Sequence, residues 1–229
     1  MLLDTAIVAV VGGIIGLDRI YLQSMISRPI VAGTITGLIL KDPYTGLVTG
    51  ALVELIWIDQ SPIGTSVPPN DTVSAILITA CAILSGNMLG SLSRELVVTA
   101  ILLFLPSAVI ARKIDIWIIT TNDILSKKAL EDASAGNIKR VAGRHLTGLV
   151  KSLLSGIAFL LVSLVLGTQI LILIFPKVPT GVLRAFTYTY YFLPLLGIAV
   201  TLNTIRLRGM IPVLCSIFLI ASLLIELLL

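Results

Sequence analysis

Residues 54–77, ELIWIDQSPIGTSVPPNDTVSAIL, interrupt a chain that otherwise reads as one apolar run after another. Glu54, Asp59, Gln60, Asn70 and Asp71 gather around Trp57 and the adjacent prolines Pro68 and Pro69. Pro62, Pro68 and Pro69 exclude one regular helix here, because proline lacks an amide proton and fixes its own φ. Irregular backbone at membrane depth is tolerated only where protein or a wet cavity covers it. Residues 59–72 are therefore expected to form a re-entrant-like, proline-rich loop with spare carbonyl and amide groups for a ligand.

The membrane setting follows from composition. Of the 229 residues, 57% are hydrophobic and only 12% charged, with a mean hydropathy of +1.08. That is too little charge to cover the surface of a soluble domain of this length. Runs of about 20 apolar residues suffice to cross a bilayer core. The chain is expected to be an all-α polytopic membrane protein of seven or eight segments, at roughly 4–17, 30–41, 44–58, 73–92, 94–112, 152–175, 185–205 and 209–228. At about 1.5 Å per residue, the second and third are too short to cross and read as half-helices or broken helices. The first, Thr5 to Leu17, has no basic leader or A-x-A site and reads as a retained segment, not a signal peptide.

Glycines recur at four-residue spacing as Gly12/Gly16, Gly33/Gly37, Gly46/Gly50 and Gly86/Gly90, a pattern that lets neighbouring backbones approach closely. All fall in the first ninety residues, which are expected to be a tightly packed core. Eight of the sixteen basic residues lie between Arg112 and Lys151. By the positive-inside rule that connection faces the cytoplasm. Residues 112–151 are expected to be amphipathic, an interfacial helix followed by a solvated one. Residues 176–184 would then lie outside, Arg206 and Arg208 inside, and the C-terminus outside. The whole chain reads as one membrane unit: a core over 1–111, the connection at 112–151 and C-terminal helices over 152–229.

Charged groups inside a bilayer are costly and are by default functional. Glu54 and Trp57, one helical turn apart, suit a sugar: the carboxylate accepts from hydroxyls while the indole packs on the C–H face. Asp59, Gln60, Asn70 and Asp71 add acceptors and amides. Gln23 and Arg28 precede Pro29, where a helix begins, and Arg28 is placed to pair with Glu54 or Asp71. Bland roles stand beside these: helix ends for Asp59 and Gln60, a belt aromatic for Trp57, N-caps for Asn70 and Asp71, a headgroup contact for Arg19. Sugar, ion and helix-cap readings all remain open on residue chemistry alone. Cys81 and Cys215 sit in apolar runs and read as small buried hydrophobes. His145, the only histidine, lies in the basic stretch and reads as solvated. No nucleotide loop, HExxH or G-x-S-x-G occurs, so no catalytic set, metal site or cofactor is expected, and the net charge of +4 does not imply nucleic acid.

The stretch SRPIVAGTITGLILKDPYTGLVTGALVELIWIDQSPIGTSVPPNDTVSAIL resembles the IIC subunit of mannose/fructose/sorbose-type sugar phosphotransferase systems. Arg28-Pro29, Gly33, Gly37, Asp42, Thr45-Gly46, Gly50, Glu54, Pro68-Pro69 and Asp71 match the family pattern, over about residues 12–90. Lys41 departs from it, standing where members often have glycine. The resemblance implies a hexose-type sugar as substrate, a IID membrane partner, and soluble IIA and IIB subunits that relay phosphate from phosphoenolpyruvate. It also implies an oligomeric complex in the bacterial inner membrane, in which this subunit binds and moves the sugar while another makes the new bond. The alternatives from other classes are a secondary transporter or channel, with Glu54 and Asp71 coupling to ions, and a non-transporting regulatory remnant.

Overall fold

The computed structural model describes residues 2–60, 66–204 and 216. The expected span at 209–228, Arg206, Arg208, Cys215, the C-terminus and the centre of the proline-rich loop at 61–65 lie outside them. Eight α-helices are found among the described residues, and no strand. They are α1 (Leu2–Leu17), α2 (Pro29–Ile39), α3 (Pro43–Trp57), α4 (Asp71–Leu89), α5 (Arg94–Phe104), α6 (Ser107–Ser134), α7 (Ile138–Ile174) and α8 (Thr180–Thr204).

Helix α4 is the axis of the bundle. Residues 72–86 are buried without interruption, against α1, α2, α3, α5, α6 and α7. Its sequence explains this: beyond Asp71 it carries no charge through Leu89 and is apolar or small on every face, as a fully enclosed helix must be. Asn70 starts it, its Oδ1 accepting from the Val73 amide at 3.1 Å. The more hydrophobic α7 lies on the outside, with Leu161, Val162, Leu166, Ile170 and Leu173 exposed on an apolar face fit for lipid.

Helices α2 and α3 form a tight hairpin held by four glycines. A Cβ on Gly46 would lie 2.5 Å from the Gly33 carbonyl oxygen and 2.8 Å from the Gly37 Cα, and one on Gly50 2.5 Å from the Pro29 carbonyl oxygen. Backbone lies directly on backbone, so no larger residue fits. The outer glycine pairs behave differently. Gly12 meets the side chains of Leu160 and Ile76, Gly86 meets Leu92, and Gly16 and Gly90 have open space. The hairpin turn holds Lys41 at φ 64°, followed by Asp42, which caps α3 by accepting from the Thr45 amide at 3.0 Å.

The expected spans are matched in part. Both short helices exist, at 11 and 15 residues, too short to cross. Four helical stretches among the described residues are long and apolar enough to do so: Leu2–Leu22, Asp71–Leu89, Arg94–Ser134 and Ile138–Lys177. The expected helix at 94–112 is broken, because Pro106 cannot donate to the preceding turn; α5 stops at Phe104 and α6 starts at Ser107. The connection at 112–151 is not a separate element. Helix α6 runs on through it to Ser134, and α7 begins inside it after a turn at Ala135–Asn137, with Gly136 at φ 72°. Nothing in residues 107–134 breaks a helix, so the apolar and solvated parts are continuous. The tip is tied by Arg144 to Asp132 at 3.2 Å, and by Lys151, which donates to Thr121 and lies 4.9 Å from the Trp117 ring centroid.

Candidate functional site

The polar residues collect where the C-terminal ends of α1 and α3 meet the N-terminal ends of α2 and α4. Glu54, near the end of α3, faces the start of α2. Its Oε2 accepts from the Ile30 amide at 3.0 Å and its Oε1 lies 3.0 Å from Arg28 Nε. The first amides of a helix have no intrahelical acceptor, and the positive end of the helix dipole favours a carboxylate there. The ion pair is open to its surroundings, the Arg28 side chain being 54% exposed and that of Glu54 18%.

A second knot lies beside the first. Arg19 Nη1 donates to Asp71 Oδ1 at 2.5 Å, while Nη2 donates to the Pro69 and Pro68 carbonyls at 3.0 and 3.2 Å. The prolines leave the backbone of this loop irregular, and one guanidinium collects its spare acceptors. Asn70 uses its whole side chain. Oδ1 caps α4, and Nδ2 donates to Asp115 Oδ2 on α6 at 2.9 Å. Thr72 Oγ1 donates to the Ser27 carbonyl at 2.6 Å, joining the two knots.

The loop carrying Arg19 and Arg28 is shaped by Asp18. After α1 the chain makes a π-helical turn, Asp18–Leu22. Gln23 and Met25 then take left-handed conformations at φ 53° and 68°. The buried Asp18 carboxylate accepts from the amides and hydroxyls of both Ser24 and Ser27, at 2.5–3.0 Å. Left-handed backbone is costly for residues with a Cβ. Four hydrogen bonds on one carboxylate oppose that cost.

The structure thus brings Arg28 together with Glu54, and Asn70 with Asp71, and it resolves the open pairing: Arg28 takes Glu54 and Arg19 takes Asp71. Trp57 packs against the core one turn from Glu54, with its indole N–H buried and without an acceptor among the described residues. Asp59 is exposed beyond the end of α3, where Gln60 donates to it, and Gln23 is exposed on its loop. Neither belongs to the two knots. His145 is exposed on α7, edge-on to Tyr21 at 5.7 Å.

Sequence reasoning left Asp18 and Asp115 out of the site and gave Arg19 a headgroup contact, whereas its guanidinium turns to Asp71. The signal for Asp115 was present: Ala108, Ala111 and Ile118 are buried, and Asp115 completes their three-and-four spacing, so it stands in an inward stripe. It borders a cavity of about 40 Å³ shared with Gly12, Gly16, Asn70, Ser152 and Ser155. That is room for water but not for a sugar.

A protein-family model described as the PTS system sorbose-specific IIC component matches residues 2–228. The chain belongs to this family. The match extends well beyond residues 12–90, and it makes the chain a IIC sugar permease component, a membrane protein of the mannose/fructose/sorbose class. A curated relative of Escherichia coli (strain K12) that carries the name of an N-acetylgalactosamine permease IIC component 2 is 36% identical over 85 residues, 37% of this chain and 64% of that one. The PTS system mannose-specific EIIC component of the same strain is 24% identical over 211 residues, 92% of this chain and 76% of that one. Among solved structures, a complex of the mannose transporter ManYZ with microcin E492 contains a chain that superposes with a TM-score of 0.63 at 23% identity, covering 97% of this chain and 87% of that one. Another, titled only as a membrane protein, gives 0.76 at 24% identity with the same coverage. These likenesses establish the fold.

Proposed function

We propose that this IIC component binds a hexose-type sugar at the Arg28–Glu54 pair and moves it across the bacterial inner membrane to a phosphorylated IIB subunit, working beside a IID membrane subunit. The observation that carries this reading is the open ion pair at the broken-helix junction. A sugar presents neighbouring hydroxyls, each both donor and acceptor, and can insert between guanidinium and carboxylate while satisfying both. The Trp57 indole N–H, one turn away and lacking an acceptor among the described residues, is a third group for a sugar oxygen. Asn70 and Asp71 are already engaged by Asp115, Arg19 and the start of α4, and serve to hold the start of α4 beside the site. Phosphoryl transfer is assigned to the soluble IIA and IIB subunits, as the family resemblance implies.

The test is reconstitution of the chain with its IID, IIA and IIB neighbours, measuring phosphoenolpyruvate-dependent phosphorylation of mannose, fructose and sorbose. Glu54→Gln should lower kcat/KM by about a hundredfold, as expected when a charge-assisted hydrogen bond to substrate is lost, while the complex still assembles. Uptake that survives omission of IIB but collapses with the ion gradient would establish a secondary transporter instead.

A further inference from the structure

We propose that the chain holds sugar at a second place, a cavity at the end of α3 remote from Glu54, which serves as the entry site on the side opposite the basic α6–α7 tip. The proposal rests on the sugar-transport reading above and adds a station to it. The cavity, about 390 Å³, lies between the first half of α3, the start of α5 and the middle of α8. Its volume is within the range of about 300–1,000 Å³ typical of small-molecule sites. Tyr44, Thr45, Thr49, Arg94, Tyr190 and Tyr191 supply its chemistry.

Two independent features point to a neutral polyhydroxyl ligand. The first is Thr49. It is fully buried, lines the cavity, and its hydroxyl has no hydrogen-bond partner among the described residues. Buried hydroxyls are almost always paired. A helical threonine ordinarily donates to the carbonyl four residues back, as Thr34, Thr36 and Thr99 do here at 2.6–2.8 Å. Thr49 does not; Thr79 and Ser107 are likewise unpaired among the described residues, but of the three Thr49 alone lines this cavity. The second is the wall. Tyr190 and Tyr191 stand edge-to-face at 5.9 Å and 89°, and the Arg94 guanidinium sits 5.2 Å from the Tyr191 ring centroid.

A sugar ring offers an apolar C–H face to a phenol plane and paired hydroxyls to a guanidinium fork. A phosphate would call for more than one cation, and Arg94 is the only charged residue among the described residues that line the cavity. Tyr190 packs inward against the core, unlike an aromatic that merely anchors in the headgroup layer. Thr49 and Glu54 share one helix and lie five residues apart, about 7.5 Å of rise, so the two sites are adjacent stations along α3.

The experiment uses the complete phosphotransferase complex and whichever of mannose, fructose and sorbose the wild type takes up best. Uptake by intact cells samples the outer side, and phosphorylation by inside-out vesicles samples the cytoplasmic side. Tyr190→Leu and Thr49→Val should each raise the uptake KM about tenfold, the size of one lost ligand contact. The vesicle KM should change by less than about twofold, since a contact on one side moves only that side's KM. Thr49→Ser should restore uptake. Tyr44→Leu, at a side chain already 74% exposed, provides a variant whose folding is not at issue. Unchanged uptake KM in all these variants, or equal shifts from both sides, overturns the entry site while leaving Glu54 as the transport site. Failure of the wild type to take up any of the three sugars would overturn the transport reading itself.

Discussion

Near its C-terminal end α3 presents Glu54 with both oxygens engaged, by Arg28 and by the Ile30 amide; in its first half the same helix presents Thr49, buried with a hydroxyl that nothing among the described residues accepts. One end is built from charges that neutralise one another across helix termini. The other is built from phenols, hydroxyls and one guanidinium around open volume. Charges at a helix junction hold chain segments together whether or not a ligand is present. A buried hydroxyl left unpaired costs about 1–3 kcal/mol, which a hydrogen bond from a ligand would offset. On the proposed reading, the difference separates an end where binding must displace existing bonds, the closed end, from an end lined by open volume, the open end.

The largest expected effect breaks the closed end. Arg19→Ala removes the partner of Asp71 and of two proline carbonyls. It should cost about 2–3 kcal/mol, below the about 3–5 of a fully buried pair because both side chains keep some exposure. Denaturant unfolding of the detergent-solubilised chain would measure it. Arg140→Ala, an exposed side chain 3.9 Å from an Asp132 that keeps its bond to Arg144, is the control and should cost under about 1 kcal/mol. Equal costs for the two would mean that the junction is no better organised than the surface.

Next comes the spacing that both ends share. Gly46→Ala places a methyl against the Gly33 carbonyl and the Gly37 Cα, so α2 and α3 must separate. The loss should be about 1–3 kcal/mol, the range for overpacking. Because α2 carries Arg28 at its start and α3 carries both sites, binding at Glu54 should weaken as well. Gly16→Ala, with open space around it, should be neutral or gain up to about 1 kcal/mol from helix propensity. The same scan over four glycine pairs would then separate those that set helix spacing from those that do not.

That scan also marks how far the sequence could be read. The start of α4 was legible because its signal is local, Asn70-Asp71 placing a cap and a first-turn residue side by side, whereas the Asp42 cap of α3 was read only as a match to the family pattern. The polar break at 59–72 was legible too, since proline acts on its own neighbours. The glycine spacing announced close packing but not which pairs face each other, since Gly12 and Gly33 look alike until the helices are docked. The ion-pair scheme was illegible for the same reason. Arg19 and Asp71 are 52 residues apart, and only the π-helical turn and the Asp18 cradle bring them together. Asn70 follows the helix-cap reading, and one side chain both caps α4 and reaches Asp115.

A smaller effect loosens the open end alone. Asp42→Ala removes the α3 cap beside Tyr44 and Thr45, and should cost about 1 kcal/mol in chemical unfolding, the usual price of a lost N-cap. Asp42→Asn should recover most of that loss, because the amide oxygen can still accept from the Thr45 amide. If both variants lose stability equally, the charge of Asp42 and not its capping bond holds the turn.

The smallest expected effect sharpens the comparison by stabilising the fold. Lys41 occupies the α2–α3 turn at φ 64°, where a residue with a Cβ is strained by about 1–2 kcal/mol. Glycine accepts that conformation freely but gives up about 0.5–1 kcal/mol in unfolded-chain entropy. Lys41→Gly should therefore gain up to about 1 kcal/mol, seen as a higher unfolding midpoint with an unchanged denaturant slope. If the prediction holds, Lys41 costs stability at the mouth that Tyr44 lines. An unchanged or lower midpoint would show that the lysine side chain makes a compensating contact. A higher midpoint with a raised uptake KM would show that the chain keeps Lys41 for the open end, accepting local strain beside a ligand as functional sites commonly do.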